Sequence, residues 1–156
     1  MRSMELTEDM QRVVREQGLG FVATVRADGT PALSPKGTTS VWDASHLVFL
    51  HLHSPHTVEN LRRNPNVEIN VVDPIVRKGY RFVGLGRVVD GGAEYERILQ
   101  WFALQRGTDY QARAKAAVLV AVVNAEALTS PVYDDGSTEA DVSTRWRQRY
   151  LGLAQV

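Results

Sequence analysis

The chain has 156 residues with 18 basic and 18 acidic side chains, so its formal net charge at pH 7 is zero. Balanced charge gives no general attraction to nucleic acid or to acidic membranes, and we expect neither as a partner. The chain has no cysteine, which excludes a disulfide framework, a thiolate metal site and a cysteine nucleophile.

The length predicts a single domain spanning 1–156, with a core at about 11–132 and a C-terminal helix at about 138–151. The N-terminal residues have no apolar run suited to a signal peptide. The longest apolar stretch, 116–123, is far shorter than the roughly 20 residues that cross a bilayer. We therefore expect a soluble, cytoplasmic protein.

The first half of the chain predicts a helix followed by a strand hairpin. A helix at 6–17 is indicated by Thr7 as N-cap and by Gly18 as its stop. Strands at 20–26 and 31–42 flank a turn that contains Asp28 and Gly29. The second strand alternates, so that four polar residues share one face: Ser34, Lys36, Thr38 and Ser40.

A strand at 47–53 comes next and leads into a short helix. Ser54 is the expected N-cap of that helix and Pro55 its first residue. Strands follow at 67–73 and 80–89, then a helix at about 93–105 and a buried strand at 118–123, with 124–132 as a connection. Thr138 and Asp141 resemble a capping box at the start of the last helix.

These elements predict a mainly β, α+β fold. Six strands joined mostly as hairpins suggest an antiparallel barrel with helices packed outside it.

The start of the helix at Ser54 is a candidate anion site. Its first N–H groups lack partners within the helix and carry partial positive charge, which suits a phosphate. Ser54 adds a hydroxyl and His56 an imidazole, while Lys36, Thr38 and Ser40 on the neighbouring strand face add further donors. The same pattern also fits an ordinary capped helix beside a solvated lysine.

The histidines offer a different kind of site. His51 and His53 share a predicted strand face and His56 is close, so a metal site is an alternative to a polar strand face. No carboxylate ligand has a matching spacing, and we expect no metal.

The last helix has two interpretations. Val142, Trp146 and Tyr150 recur at four-residue spacing, flanked by arginines. The helix is either an ordinary amphipathic helix or one whose Trp146, with one arginine, covers a ligand pocket of its own or of a partner subunit.

Three segments together resemble a known family. They are FVATVRADGTPALSPKG, then HLVFLHLHSPHTVENLRRNPNVEINVVDP, then GYRFVGLGRVV. The middle one contains the spacing S-x-x-x-x-x-N-L-x-x-N-P-x-V, from Ser54 to Val67, and the last contains G-x-G-x-V, from Gly84 to Val88. Over about 11–89 the chain resembles the FMN-binding split-barrel family related to pyridoxamine 5′-phosphate oxidase.

The resemblance implies a six-stranded split barrel and a homodimer with two FMN sites at the subunit interface. It implies that the FMN phosphate is held by a set of basic and hydroxyl residues: Lys36, Thr38, Ser40, His51, Ser54 and His56. The flavin ring would lie along 34–38, which includes Ser34 and Gly37. Arg81 would reach the ring from the next strand, and Trp146 from the partner subunit.

The chain also departs from the oxidase pattern. The oxidase has an arginine where this chain has Ser34 or Pro35, and an Arg-Lys pair where this chain has Pro55 and His56. Its C-terminal Arg-x-His pair is absent as well. We therefore expect a small-molecule substrate other than pyridoxamine phosphate.

The expected function is that of an FMN-dependent oxidoreductase that transfers hydride through N5 of the flavin. No catalytic acid or base stands out in the sequence. The alternatives are a reductase of the same fold that uses the deazaflavin F420, and a split barrel that carries flavin or haem without turnover.

Overall fold

A computed structural model describes residues 2–154 of the chain. These residues form five α-helices, seven strands and one 3-10 helix, Pro131–Tyr133. In chain order, the α-helices and strands are α1 Glu8–Gln17, β1 Gly20–Val25, β2 Pro31–Lys36, β3 Ser40–Val41, β4 His46–His51, α2 Pro55–Arg63, β5 Asn66–Asp73, β6 Lys78–Val89, α3 Gly92–Arg106, α4 Thr108–Arg113, β7 Ala116–Thr129 and α5 Glu139–Leu153.

All strands belong to one antiparallel sheet with the order β2-β1-β5-β6-β7-β4-β3. The two edge strands, β2 and β3, are consecutive in the chain and are joined by only three residues, Gly37, Thr38 and Thr39. We call this connection the β2–β3 loop. Because so short a connection joins opposite edges, the sheet must curl, as expected for a split barrel.

The strand count differs from the six that the sequence predicts. The strand predicted at 31–42 ends at Lys36, turns at the β2–β3 loop and resumes at Ser40. Gly37 and the two hydroxyl residues after it favour a turn over extended backbone. The single predicted strand is therefore two strands on opposite edges of the sheet.

The apolar residues form two clusters on opposite sides of the sheet. The inner cluster joins Val13 and Val14 of α1 to strand residues such as Phe49 and Phe82. The outer cluster joins Ile98 and Phe102 of α3 to Val48, Leu50 and Leu119 on β4 and β7. The helix α3 thus covers only one half of the outer sheet surface.

The helix ends follow the sequence closely. The Thr7 side chain accepts a hydrogen bond from the Met10 backbone N–H, and Gly18 ends α1 in the left-handed conformation with φ 60°. The capping box of Thr138 and Asp141 at the start of α5 is confirmed, with both reciprocal hydrogen bonds present.

In the second half, one prediction was wrong and one element was missed. The strand β7 extends from Ala116 to Thr129, so most of the predicted connection at 124–132 is strand paired with β6. The short helix α4 was not predicted at all, because a six-residue helix shows no periodicity over so few residues. Among residues 2–154, no helix is both long and apolar enough to cross a membrane.

Candidate functional site

Four of the predicted site residues meet where β2 ends and α2 begins. The Lys36 ammonium donates to the Ser34 hydroxyl at 2.8 Å and to the Ser54 hydroxyl at 2.5 Å. The Ser54 backbone N–H donates to Nδ1 of His51 at 3.0 Å. We call Ser34, Lys36, His51 and Ser54 the Lys36 cluster. Alternation along β2 brings Ser34 and Lys36 to the same inward face, as the sequence predicts.

Lys36 is a buried cation without an acidic partner. Only 4 % of its surface is exposed, and both of its acceptors are neutral hydroxyls. Within residues 2–154, no carboxylate forms an ion pair with its ammonium. Burial lowers the pKa of Lys36 below its ordinary value, because the charged form has lost much of its hydration. Buried charges in proteins are normally paired, so this one is suited to receive an anion.

His51 is buried beside Lys36 and is held in one orientation by the start of α2. Its Nδ1 accepts the Ser54 N–H, so in the neutral ring the proton is on Nε2. Burial lowers the pKa of His51, and the positive charges of Lys115 and Lys36 lower it further. His51 is therefore neutral when the site is formed at neutral pH.

The other histidines lie outside this cluster. The strand β4 ends at His51, so His53 does not continue its face as predicted, and its side chain is exposed. His56 is also exposed, and its Nδ1 lies 3.8 Å from an oxygen of Glu59. Across residues 2–154, no group of three or more histidine or carboxylate side chains could hold a metal ion.

The start of α2 keeps its capacity for an anion. Ser54 occupies the N-cap position, but its side chain makes no capping hydrogen bond and instead accepts from Lys36. Pro55 follows as the first helical residue, where its missing N–H costs nothing. Ser54 is therefore next to both the partial positive charge of the helix start and the Lys36 ammonium.

Thr38 and Ser40 do not stand beside Lys36 as the sequence predicts, because the β2–β3 loop interrupts the strand. The Thr38 hydroxyl accepts the Leu50 N–H at 2.9 Å, and the Ser40 hydroxyl donates to the Thr38 carbonyl at 3.0 Å. Both side chains are buried and occupied with the chain's own backbone. Gly37 differs, since a Cβ built there would meet nothing within 4 Å.

Arg81 on β6 and Trp146 on α5 both lie away from the Lys36 cluster. Arg81 lies on the outer face of β6, between Glu68 at 3.1 Å and Glu126 at 3.6 Å, whereas Lys36 lies on the inner face of β2. The Trp146 ring lies under the guanidinium of Arg77, 4.2 Å from its centroid. Neither side chain reaches the Lys36 cluster of its own chain.

Arg106 was missed by the sequence reasoning. Its guanidinium donates to the Gly37 carbonyl at 2.7 Å, the Thr39 carbonyl at 3.3 Å and the Ser40 hydroxyl at 3.1 Å. In the sequence it is an ordinary basic residue in the last turn of a helix, so no local signal marks it.

The comparisons with known proteins agree with this fold. The family model described as pyridoxamine 5′-phosphate oxidase matches residues 6–130. HupZ from Group A Streptococcus is 32 % identical, with a TM-score of 0.70, over 80 % of this chain and 95 % of that one. No curated protein matches the chain.

Two more distant solved structures share the fold. An F420 reductase is 22 % identical, with a TM-score of 0.61, over 78 % of this chain and 98 % of that one. An FMN-binding protein from Syntrophomonas wolfei is 11 % identical, with a TM-score of 0.65, over 79 % of this chain and 86 % of that one.

The family match includes the whole Lys36 cluster and ends before α5, so Trp146 lies beyond it. With most of the chain matched and the same curled antiparallel sheet in its relatives, the protein belongs to the pyridoxamine 5′-phosphate oxidase family.

Proposed function

We propose that the protein binds FMN through the Lys36 cluster and acts as a flavin-dependent oxidoreductase on a small molecule. One observation carries the proposal: a buried lysine with only neutral acceptors lies beside the start of a helix. An isolated buried ammonium is costly, and a phosphate would compensate its charge.

The residues of the cluster fit a phosphate group. Lys36 has three N–H donors, of which two are spent on Ser34 and Ser54. Both hydroxyls accept from Lys36, so their own protons are available to an anion. His51 orients the Ser54 backbone and, being neutral, adds no charge of its own to the site. Gly37, with open space around it, allows a planar group to approach the end of β2.

Bound FMN would supply hydride transfer at its N5. The chain would bind the phosphate, exclude water from Lys36 and orient the cofactor. Thr38 and Ser40 support this site through the loop: the Ser40 hydroxyl donates to the Thr38 carbonyl, and the buried Thr38 hydroxyl accepts from the Leu50 N–H.

We also propose that the protein is a homodimer, because half of the outer sheet surface is left uncovered by α3. Phe21, Leu33 and Val72 lie on that half, and 43 %, 69 % and 37 % of their surfaces are exposed. A second copy would cover these apolar residues.

The deazaflavin F420 is the second candidate, because Lys36 is the only lysine or arginine in the cluster. A site with one buried cation is weaker for a phosphate dianion than the arginine-rich site of the oxidase pattern, and it suits a ligand with a less charged phosphate. The shared fold with an F420 reductase supports this alternative.

A titration with FMN and F420 in parallel tests the proposal. We expect saturable binding of one of them at one per subunit. Lys36→Ala combined with Ser54→Ala should weaken that binding by about 3 kcal/mol, roughly two charge-assisted hydrogen bonds.

Lys115→Ala is the matched control. It removes a positive charge near His51 without touching the contacts of Lys36. An equal loss of affinity in Lys115→Ala and in the double variant would mean that binding depends only on general electrostatic attraction. Unchanged affinity in the double variant would refute the phosphate site. The visible spectrum of the purified protein separates flavin from haem.

A further inference from the structure

Arg106 connects the outer helix α3 to the β2–β3 loop, which directly follows Lys36. It is the last residue of α3, at the negative end of the helix, where a guanidinium is favoured. The same helix is anchored on the outer sheet face by Ile98 and Phe102, both fully buried. The position of Arg106 is therefore fixed by packing and not only by its own hydrogen bonds.

The guanidinium contacts the β2–β3 loop at three points. Nη1 donates to the Gly37 carbonyl, and Nη2 donates to the Thr39 carbonyl and the Ser40 hydroxyl. All three acceptors are neutral, so Arg106 does not serve here as one half of an ion pair. A planar fork of donors can bridge several acceptors at fixed spacing, which the single point charge of a lysine cannot do.

The loop needs such a partner because the sheet ladder is interrupted there. The strand β2 pairs with β1 up to Lys36, and β3 pairs with β4 from Ser40 onward. Between them, the Thr39 hydroxyl and N–H both donate to the Lys36 carbonyl, at 2.8 Å and 3.3 Å. The backbone of Lys36 is thus held from within the loop, and the loop is held by Arg106.

We infer that Arg106 is a positioning residue for the anion site, which holds the β2–β3 loop so that the Lys36 ammonium points at Ser54. Release of the loop would free the Lys36 backbone to rotate and would admit water to its side chain. The inference rests on the proposed function for its consequence, the loss of anion affinity. The effect of Arg106 on the burial of Lys36 can be measured without any cofactor.

The first test is the reactivity of Lys36 in the protein without added ligand. N-hydroxysuccinimide acetate labels exposed amines, and mass spectrometry reports the rate at each lysine. We expect Lys36 to react about tenfold faster in Arg106→Gln than in the wild type. The loop opens more easily in the variant, because opening no longer has to break a charge-assisted hydrogen bond. The exposed Lys115 should react at the same rate in both proteins.

The second test is affinity for inorganic phosphate and for FMN. Arg106→Gln should weaken both by about tenfold, and Arg106→Lys should recover part of the loss because it keeps the charge but not the fork. Arg113→Gln is the matched control, since Arg113 is an exposed arginine at the last position of the helix α4. It should change neither quantity.

A purely structural role predicts a different result. Arg106→Gln would then lower the melting temperature but leave Lys36 reactivity and anion affinity at wild-type values well below that temperature, and the inference would be overturned. Should Arg106→Gln fail to fold, Ser40→Ala removes one acceptor of the guanidinium and should raise Lys36 reactivity by a smaller factor. Wild-type reactivity in Ser40→Ala would contradict the inference in the same way.

The outcomes separate this inference from the proposed function. A wild-type protein that binds neither phosphate nor FMN refutes the proposed function, while the reactivity of Lys36 still decides the role of Arg106. Conversely, if the protein binds FMN through Lys36 and Arg106→Gln changes neither Lys36 reactivity nor affinity, the proposed function stands and the inference about Arg106 is refuted.

Discussion

At the scale of single residues, the site contains two buried ionisable side chains, Lys36 and His51, whose surroundings disfavour the charged form of each. Burial lowers the pKa of both Lys36 and His51, and the positive charges of Lys115 and Lys36 lower the pKa of His51 further. Such an arrangement costs stability and is common where a ligand supplies the missing charge. These two shifts therefore agree with the proposed anion site, in which a bound anion would supply the missing negative charge.

The lowered pKa of His51 predicts how stability depends on pH. As the pH falls below about 6.5, the ordinary pKa of histidine, the unfolded chain takes up a proton that folded His51 resists. The unfolded state then binds more protons, so His51 lowers the free energy of unfolding as the pH falls through this window. His51→Gln removes this contribution and still offers an oxygen to the Ser54 N–H.

The measurement is the melting temperature between about pH 7.5 and 5. The wild type should lose more stability on acidification than His51→Gln, while His53→Gln, which changes an exposed histidine, should follow the wild type. Parallel curves for the wild type and His51→Gln would mean that His51 titrates normally in the folded protein.

The residues of the site were predictable to different degrees. The helix start at Ser54 is visible from Ser-Pro alone, and two-residue alternation correctly puts Ser34 and Lys36 on one face. Alternation failed beyond Gly37, because a turn there redirects Thr38 and Ser40 toward the backbone. Arg106 was invisible, since its contacts join positions more than 60 residues apart.

At the scale of elements, the two longest strands, β6 and β7, pair at the centre of the sheet, although α3 and α4 separate them in the chain. Their pairing runs from Lys78 opposite Thr129 to Val89 opposite Ala117, with a register shift between Val83 and Gly84. A glycine inside a strand often marks a bend or the close approach of another backbone, and Gly84 is a position of close approach. The sequence did not indicate the length of β7, because the polar Asn124 and Glu126 resemble a connection when their cross-strand partners are unknown.

The close approach at Gly84 makes a stability prediction. A Cβ built at Gly84 would lie 2.5 Å from the Ala121 carbonyl oxygen and 2.9 Å from a Val120 methyl carbon. Because the first of these is backbone of the paired strand, β6 and β7 would have to separate. Gly84→Ala should lower the free energy of unfolding by about 1–3 kcal/mol, the usual range for overpacking.

Urea unfolding measures this effect, with Gly152→Ala as the control. Gly152 lies in the exposed end of α5, where a Cβ would meet nothing within 4 Å, and alanine favours a helix. A loss at Gly152 equal to that at Gly84 would show that the effect comes from the glycine-to-alanine change itself and not from the contact with β7.

At the scale of the whole molecule, the two outer halves of the sheet differ in what covers them. One half is buried under α3 with the outer apolar cluster, and the other exposes Phe21, Leu33 and Val72 around Arg81 and its two carboxylate neighbours. A face that mixes exposed apolar side chains with paired charges resembles a subunit interface more than a surface adapted to water. This asymmetry is the physical argument for a second copy. From the sequence alone, a homodimer was suggested only by the family resemblance.

The final prediction concerns the oligomeric state of the molecule. Leu33→Glu puts a charge on the uncovered half of the sheet and should convert a dimer into a monomer, because a buried carboxylate without a partner costs several kcal/mol. Leu104→Glu is the matched control: Leu104 is 85 % exposed on α3, which covers the other half, and the same change there should leave the dimer intact. Light scattering coupled to size exclusion measures both masses.

Dissociation by both variants would point to a general loss of structure, and a monomeric wild type at micromolar concentration would refute the proposed interface. Loss of FMN binding in the Leu33→Glu monomer, with the Lys36 cluster intact, would further show that the cofactor site draws on both subunits.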